Sequence, residues 1–106
     1  MDCSRNDVVL LPIPFSDLSS TKVRPAIVIG HGSKGGDLYL IPITSRLPQG
    51  DFPIRDWESC GLNVPSAVKG QLATVESSLV RKITGRLSDE DIGTLDSHLK
   101  RWLELT

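Results

Sequence analysis

Three short apolar segments separated by turn residues are the feature that most constrains the fold of this chain. They cover residues 8–11, 26–29 and 38–43. Each segment is bounded by proline, glycine or polar residues, which is typical of a β-strand. Pro12 and Pro14 are expected to end the first strand and Pro25 to begin the second, because proline has no N–H to donate to a neighbouring strand. The first part of the chain is therefore predicted to form a sheet of short strands.

The middle of the chain predicts a long loop followed by two more strands. Residues 50–65 carry little hydrophobic pattern, so they are predicted to be a loop with one brief extended piece at residues 52–55. A bent strand is predicted at residues 66–75, with the bend at Gly70, and the last strand is predicted at residues 80–85.

The end of the chain has the pattern of an amphipathic helix. Ser88 offers a capping hydroxyl, and the carboxylate of Asp91 follows three residues later. Apolar residues then recur at helical spacing, namely Ile92, Leu95, Leu99, Trp102 and Leu103. We expect this helix to cover the open side of a small barrel. The predicted fold is mainly β: about five or six short antiparallel strands in a small β-barrel, plus the helix.

Composition limits both the size and the compartment of this fold. With 106 residues and 39% hydrophobic content, we expect a single domain over residues 1–106 with a modest core. A net charge of −1 argues against a large non-specific nucleic-acid binder, so any contact with nucleic acid must be a local patch. No membrane-length apolar segment or secretory signal is found, which predicts a cytoplasmic protein with no membrane partner. Cys3 and Cys60 are expected to be free thiols.

Three motifs indicate what the sheet carries. The sequence Lys22-Val23-Arg24-Pro25 leads into the second strand, and Thr44-Ser45 ends the third. The sequence GLNVPSAVKGQLATVESSLVRKITGRLS follows at residues 61–88. An arginine at one strand's entry and a hydroxyl at another strand's exit can meet when the strands share a sheet, and such a pair suits a phosphate. In this order, over residues 6–105, the motifs resemble the PemK/MazF family of toxin endoribonucleases from type II toxin–antitoxin systems.

The resemblance implies a fold and an activity. The fold is an SH3-like small barrel of the CcdB/PemK type with appended helices, working as a homodimer. The activity is sequence-selective cleavage of single-stranded RNA, such as mRNA, by a toxin that needs no metal ion or cofactor and is inhibited by a cognate antitoxin protein. We expect a disordered antitoxin tail to bind across the loops at residues 15–22 and 52–57, which would border the active groove.

Arg24 and Thr44 are the catalytic residues that the resemblance indicates. A guanidinium supplies forked, permanently charged donors for phosphoryl oxygens, and a threonine hydroxyl would hold a further oxygen. Without the family motif, Arg24 would be interpreted as a loop residue with its charge in water, and Thr44 as a residue that suits a strand. Lys22, Ser45 and Arg46 are expected to contact RNA beside this pair.

The segment around Gln71 departs from part of the family. Some members carry a basic residue and an aspartate just before this glutamine as acid and base, whereas Gly70 precedes it here. Lys69 and Gln71 are expected to contact RNA, and the alternatives are a solvated lysine and a locally satisfied strand residue. Asp17, in the loop between the first two strands, is nominated as the general base, although aspartate in a serine-rich loop is usually a turn residue.

The remaining candidates have plainer interpretations. His31 and His98 lack partners at ligand spacing, so no metal site is predicted. Phe15, Phe52 and Trp57 lie in loops, where they would either stack on bases or plug open edges of the barrel. Three other functions stay open: a gyrase-poisoning toxin of the CcdB kind, a non-catalytic SH3-like interaction module, and a catalytically weak RNA-binding relative.

Overall fold

The computed structural model describes residues 2–12 and 22–105, and these residues form one sheet and one helix. The seven strands are β1 (Asp7–Pro12), β2 (Val23–His31), β3 (Asp37–Thr44), β4 (Phe52–Pro53), β5 (Ala67–Val68), β6 (Ala73–Glu76) and β7 (Lys82–Arg86). Helix α1 covers Asp89–Trp102, and 3₁₀ turns lie at Leu47–Gln49, Glu58–Cys60 and Ser77–Leu79. The strand order is β4–β5–β3–β2–β1–β7, with β6 beside β3, and every pair is antiparallel. The predicted mainly β fold with a terminal helix is confirmed.

The three long strands lie where the apolar segments predicted them, with one difference at Pro25. β2 begins at Val23, so the prediction that Pro25 begins this strand is wrong. Pro25 pairs with Leu10 of β1, whereas the pairing of β2 with β3 begins one residue later, at Ala26. The proline is tolerated inside the strand because β2 has a paired neighbour on only one side at that point.

The bent strand predicted at residues 66–75 is two short strands that pair with the same neighbour. β5 pairs with Ile43 and Thr44 at the end of β3, and β6 pairs with the first half of β3. The residues around Gly70 lie between them and outside both strands, which confirms the predicted bend. The last strand, β7, begins at Lys82, two residues later than predicted.

The hydrophobic core consists of two clusters separated by the sheet. Neighbouring residues such as Val8 and Val9 belong to different clusters, because successive side chains of a strand point to opposite faces. Leu95 and Leu99 of α1 belong to the first cluster, so the helix covers one face as predicted. Leu103 was predicted on this apolar face, but it follows the end of the helix and is 46% exposed. Nowhere in the described residues is a helix long and apolar enough to cross a membrane.

Cys3 and Cys60 are buried and are not joined in a disulfide, as predicted. Burial raises the pKa of the Cys60 thiol to about 11, and the negative charges of Asp91 and Asp56 act in the same direction. With this raised pKa, Cys60 stays protonated at neutral pH. It is therefore a poor nucleophile, because the reactive species is the thiolate.

The buried carboxylate of Asp91 joins the helix to the long loop. Its oxygens accept hydrogen bonds from the backbone N–H groups of Arg55 and Asp56, both at 2.9 Å, and from the Ser88 hydroxyl at 3.2 Å. The backbone N–H of Asp91 in turn donates to the Ser88 hydroxyl, which is the predicted helix cap. This single side chain therefore fixes where the loop leaves β4 and where α1 begins.

We predict that Asp91→Ala lowers the free energy of unfolding by about 2 kcal/mol, because two backbone N–H groups lose the buried, charged carboxylate that accepts their hydrogen bonds. Asp89→Ala is the matched control, since Asp89 is an exposed acidic residue in the same helical turn and its loss should cost about 0.5 kcal/mol. Urea denaturation of both variants measures the difference. Equal destabilisation by the two substitutions would contradict this role of Asp91.

Candidate active site

A cavity of about 380 Å³ opens where β2 begins and β3 ends. Arg24 lines it from β2, and Thr44 lines it from β3. The pairing of these strands ends at Ala26 and Pro42, and Arg24 and Thr44 each lie two residues beyond that last pair. The two residues that the motifs predicted to come together therefore line one cavity.

The Thr44 hydroxyl has its proton available for a ligand. Its Oγ1 accepts a hydrogen bond of 3.0 Å from the backbone N–H of Arg46, which forms a tight turn at the exit of β3. A hydroxyl has one donor and two acceptor positions, so this bond leaves the donor unused. Ser45 and Arg46 belong to this turn. Both are exposed, and both also line the cavity.

The cavity is locally positive although the chain carries a net charge of −1. Arg24, Arg46 and Lys69 line it, and no carboxylate does so within the described residues. The ion pairs among those residues, Arg5–Asp96, Arg55–Glu90 and Arg86–Asp7, involve none of the three cations. Their charge is therefore available to a bound anion. Lys22 is exposed and lies two residues before Arg24, outside the lining of the cavity.

Lys69 and Gln71 enter the cavity from a tight turn centred on Gly70. The N–H of Gln71 donates to the carbonyl of Lys69 at 2.7 Å, which is the hydrogen bond of a three-residue turn. The N–H of Gly70 donates to the Asp51 carboxylate at 2.6 Å. A Cβ atom at residue 70 would lie 2.9 Å from that carboxylate and 3.1 Å from the Trp102 ring. A side chain at residue 70 would therefore press on Asp51 and Trp102, and the residues on either side of Gly70 line the cavity.

The wall formed by residues 61–66 was missed by the sequence analysis, which had interpreted this segment as part of a plain loop. Leu62, Asn63, Val64 and Ser66 line the cavity from this side, and Gln49 of a 3₁₀ turn lies with them. The available signal was the glycine at the start of the GLNVPS sequence, since a glycine at a special backbone position often fixes a loop. By contrast, the expectation that residues 52–57 border this groove is wrong, because none of them lines it.

The side chains of Phe52 and Trp57 pack in the hydrophobic core and are not positioned to stack on RNA bases. Phe52 is buried and stacks on His98 with ring centroids 3.9 Å apart, and Trp57 packs against the same core cluster. These two aromatics therefore fit the plugging interpretation. His31 Nε2 lies 2.8 Å from the carbonyl of Cys3, away from the cavity. The proposed base Asp17 and the aromatic Phe15 lie outside the described residues.

Potential metal ligands are dispersed in the part of the chain that the structure describes. No group of three or more His, Cys, Asp or Glu side chains there is arranged to hold a metal ion.

The fold and the cavity define a small β-sheet protein with a positively charged cavity between two strand ends. The family of PemK-like, MazF-like toxins of type II toxin–antitoxin systems matches residues 4–103. The chain belongs to this family, as its motifs predicted, and the match covers nearly its whole length. No match is found among curated proteins. Family membership implies an antitoxin partner.

The role of Asp51 in holding the Gly70 turn can be tested directly. We predict that Asp51→Ala accelerates hydrogen exchange of the Gly70 amide by at least about tenfold, because a lost hydrogen bond to a charged acceptor corresponds to about 1.5 kcal/mol or more. Asp51→Asn keeps a side-chain oxygen at the same reach and should retain most of the protection. Exchange measured by NMR separates the two, and unchanged protection in Asp51→Ala would show that the turn does not depend on this carboxylate.

Proposed function

We propose that this protein is a sequence-selective, metal-independent endoribonuclease that cleaves single-stranded RNA as the toxin of a type II toxin–antitoxin system. The observation that carries the proposal is that Arg24 and Thr44 line one cavity, which Arg46 and Lys69 make positive. Family membership supports the same conclusion. The cavity volume of about 380 Å³ also lies within the range of ligand sites, about 300–1,000 Å³.

The proposed reaction is an internal transesterification. The 2′-oxygen of the nucleotide before the cut attacks phosphorus, the bond from phosphorus to the 5′-oxygen breaks, and a 2′,3′-cyclic phosphate and a 5′-hydroxyl form. Negative charge grows on the non-bridging oxygens during this step. The Arg24 guanidinium would bind these oxygens through forked donors while the Thr44 hydroxyl donates to one of them. Lys69 and Arg46 would stabilise the charge of the flanking backbone.

Two protons must move in this reaction. One leaves the attacking 2′-hydroxyl, and one reaches the departing 5′-oxygen. We assign the first to Asp17 as a proposal, because it shortly precedes Lys22 and Arg24 in the sequence, and the second proton would come from water. Replacing Asp17 by Asn tests this role: the rate of cleavage should fall and lose its dependence on pH in the acidic range, where an aspartate titrates.

The substrate is proposed to be single-stranded. A cavity between two strand ends can take an extended backbone with splayed bases, whereas reading a duplex needs an element that enters a groove. Lys22, Ser45, Arg46, Lys69 and Gln71 are proposed RNA contacts around the catalytic pair. Such a substrate, mRNA, and a cognate antitoxin would be met in the cytoplasm.

An acidic and partly apolar antitoxin tail would suit the same cavity and compete with RNA. Its charge would complement Arg24, Arg46 and Lys69, and apolar side chains could pack on Leu62 and Val64.

We further propose that the toxin is a homodimer, which light scattering at micromolar concentration tests. A catalytically weak RNA-binding relative is the second candidate function, because Gly70 stands where other members carry an acidic residue.

We predict that Arg24→Ala lowers the rate of RNA cleavage at least about a hundred- to a thousandfold, the range for losing one such donor. Arg24→Lys should rescue poorly, because a point charge lacks the forked geometry. Arg24 is exposed, so stability should change by less than about 0.5 kcal/mol. Arg81→Ala, at an exposed arginine outside the cavity, is the matched control. Near-normal cleavage by Arg24→Ala would place the active site elsewhere.

The chemistry of the cut gives a second test. We predict that cleavage proceeds in EDTA and leaves a 2′,3′-cyclic phosphate and a 5′-hydroxyl, because the nucleophile is the substrate's own 2′-hydroxyl. An oligonucleotide with a single 2′-methoxy group at the cut site should be inert, while the same group one nucleotide away should be tolerated. Mass spectrometry of the products identifies their end groups. Turnover of the blocked substrate, or a requirement for added magnesium, would contradict this mechanism.

A further inference from the structure

Three side-chain amides line the cavity without a partner in the described part of the chain. They belong to Gln49, Asn63 and Gln71. A carboxamide presents both a donor and an acceptor, and this combination matches the edge of a nucleobase better than it matches a phosphate, which only accepts. The cavity therefore has two kinds of lining: cations that suit the RNA backbone and amides that suit its bases.

Asn63 differs from the other two because the backbone before it is fixed against β7. Gly61 has a φ of +79°, and a Cβ atom there would lie 2.4 Å from the carbonyl oxygen of Thr84. The Thr84 hydroxyl lies 2.9 Å from the carbonyl oxygen of Cys60 and donates to it. A Cβ atom at Gly85 would lie 2.7 Å from the Cys60 carbonyl group. Two glycines thus let the loop backbone rest directly on the strand.

Hydrogen bonds hold the backbone both before and after Asn63. The N–H of Leu62 donates to the carbonyl of Trp57 at 3.2 Å. The hydroxyl of Ser66 donates to the carbonyl of Val64 at 2.9 Å, and the carbonyl of Ser66 accepts from the N–H of Ile54 at the same distance. Asn63 therefore stands on a preorganised loop, and its side chain has one rotatable bond fewer than a glutamine. Little conformational entropy is lost when such a group forms a directed hydrogen bond.

We propose that Asn63 is a specificity-determining residue that reads the edge of one RNA base beside the scissile phosphate. This inference rests on the proposed nuclease function and adds the group that selects the sequence. The cations and Thr44 hold the backbone, and the Asn63 amide on the opposite loop forms paired hydrogen bonds with the base of an adjacent nucleotide. A base whose edge offers one donor and one acceptor in the matching order is accepted, and the others leave the amide unpaired.

Cleavage of a randomised RNA library by the full chain tests this assignment, with the cut positions read by sequencing. Asn63→Ala should weaken base preference at one position next to the cut and slow cleavage of the preferred sequence by roughly 5- to 100-fold. Sequences with other bases at that position should be cut at nearly the wild-type rate. Asn63→Asp, which lacks the donor, should shift the preference to a different base. Glu58→Ala, an exposed change in the same loop outside the cavity, should alter nothing.

Two results would overturn the role of Asn63: an unchanged preference in Asn63→Ala, or an equal loss of rate for every sequence, which would mark a merely structural residue. A separate binding experiment distinguishes this inference from the nuclease proposal. Affinities for four 2′-methoxy homopolymers, which resist internal cleavage, should differ for the wild type and converge for Asn63→Ala. Base discrimination without any cleavage would refute the nuclease alone, and equal wild-type affinities for the four polymers would refute the reading of bases.

Discussion

The early end of the pairing between β2 and β3 is the constraint on which the site depends. The ladder stops at Ala26 and Pro42, and Pro25 precedes the last paired residue of β2. Pro25 has no N–H to donate where the next bond of the ladder would form, whereas the carbonyl of Pro42 faces the other neighbour and accepts from the N–H of Lys69. Among the described residues, no pairing of β2 with β3 is found beyond this point. Arg24 and Thr44 lie beyond it, where a ligand can reach both.

The other side of β3 explains why the open end keeps its shape. Ile43 and Thr44 pair with β5, and the N–H of Lys69 donates to the carbonyl of Pro42 at 2.9 Å. Thr44 is thus held by backbone pairing on one edge while its side chain faces the cavity. The turn at Gly70 follows directly, so the same short segment supports the hydroxyl and delivers Lys69. Support from rigid backbone of this kind is what positions catalytic groups closely enough to act.

The fold and one wall of the site could be predicted from sequence because both depend on local patterns. The apolar segments predict the long strands, the spacing after Ser88 predicts α1, and the ends of two adjacent strands bring Arg24 and Thr44 to one cavity. The second wall could not be predicted, since it depends on contacts between distant residues. The approach of Gly61 to Thr84 and the bond from Gly70 to Asp51 leave no periodic signal in the sequence. The sequence predicts Pro25 at a strand start, whereas the structure has it inside β2, paired on one edge only. The number of paired edges at a strand position depends on the whole sheet and cannot be read from the local sequence.

The central claim is that Arg24 and Thr44 act on the same phosphate, and a double-mutant cycle measures this directly. Single-turnover cleavage rates would be compared for the wild type, Arg24→Lys, Thr44→Ala and the double variant. If both groups stabilise one transition state, the second substitution should cost much less in the presence of the first, with a coupling of about 1 kcal/mol or more. Rate losses that simply multiply would show that the two residues act independently and would contradict the account.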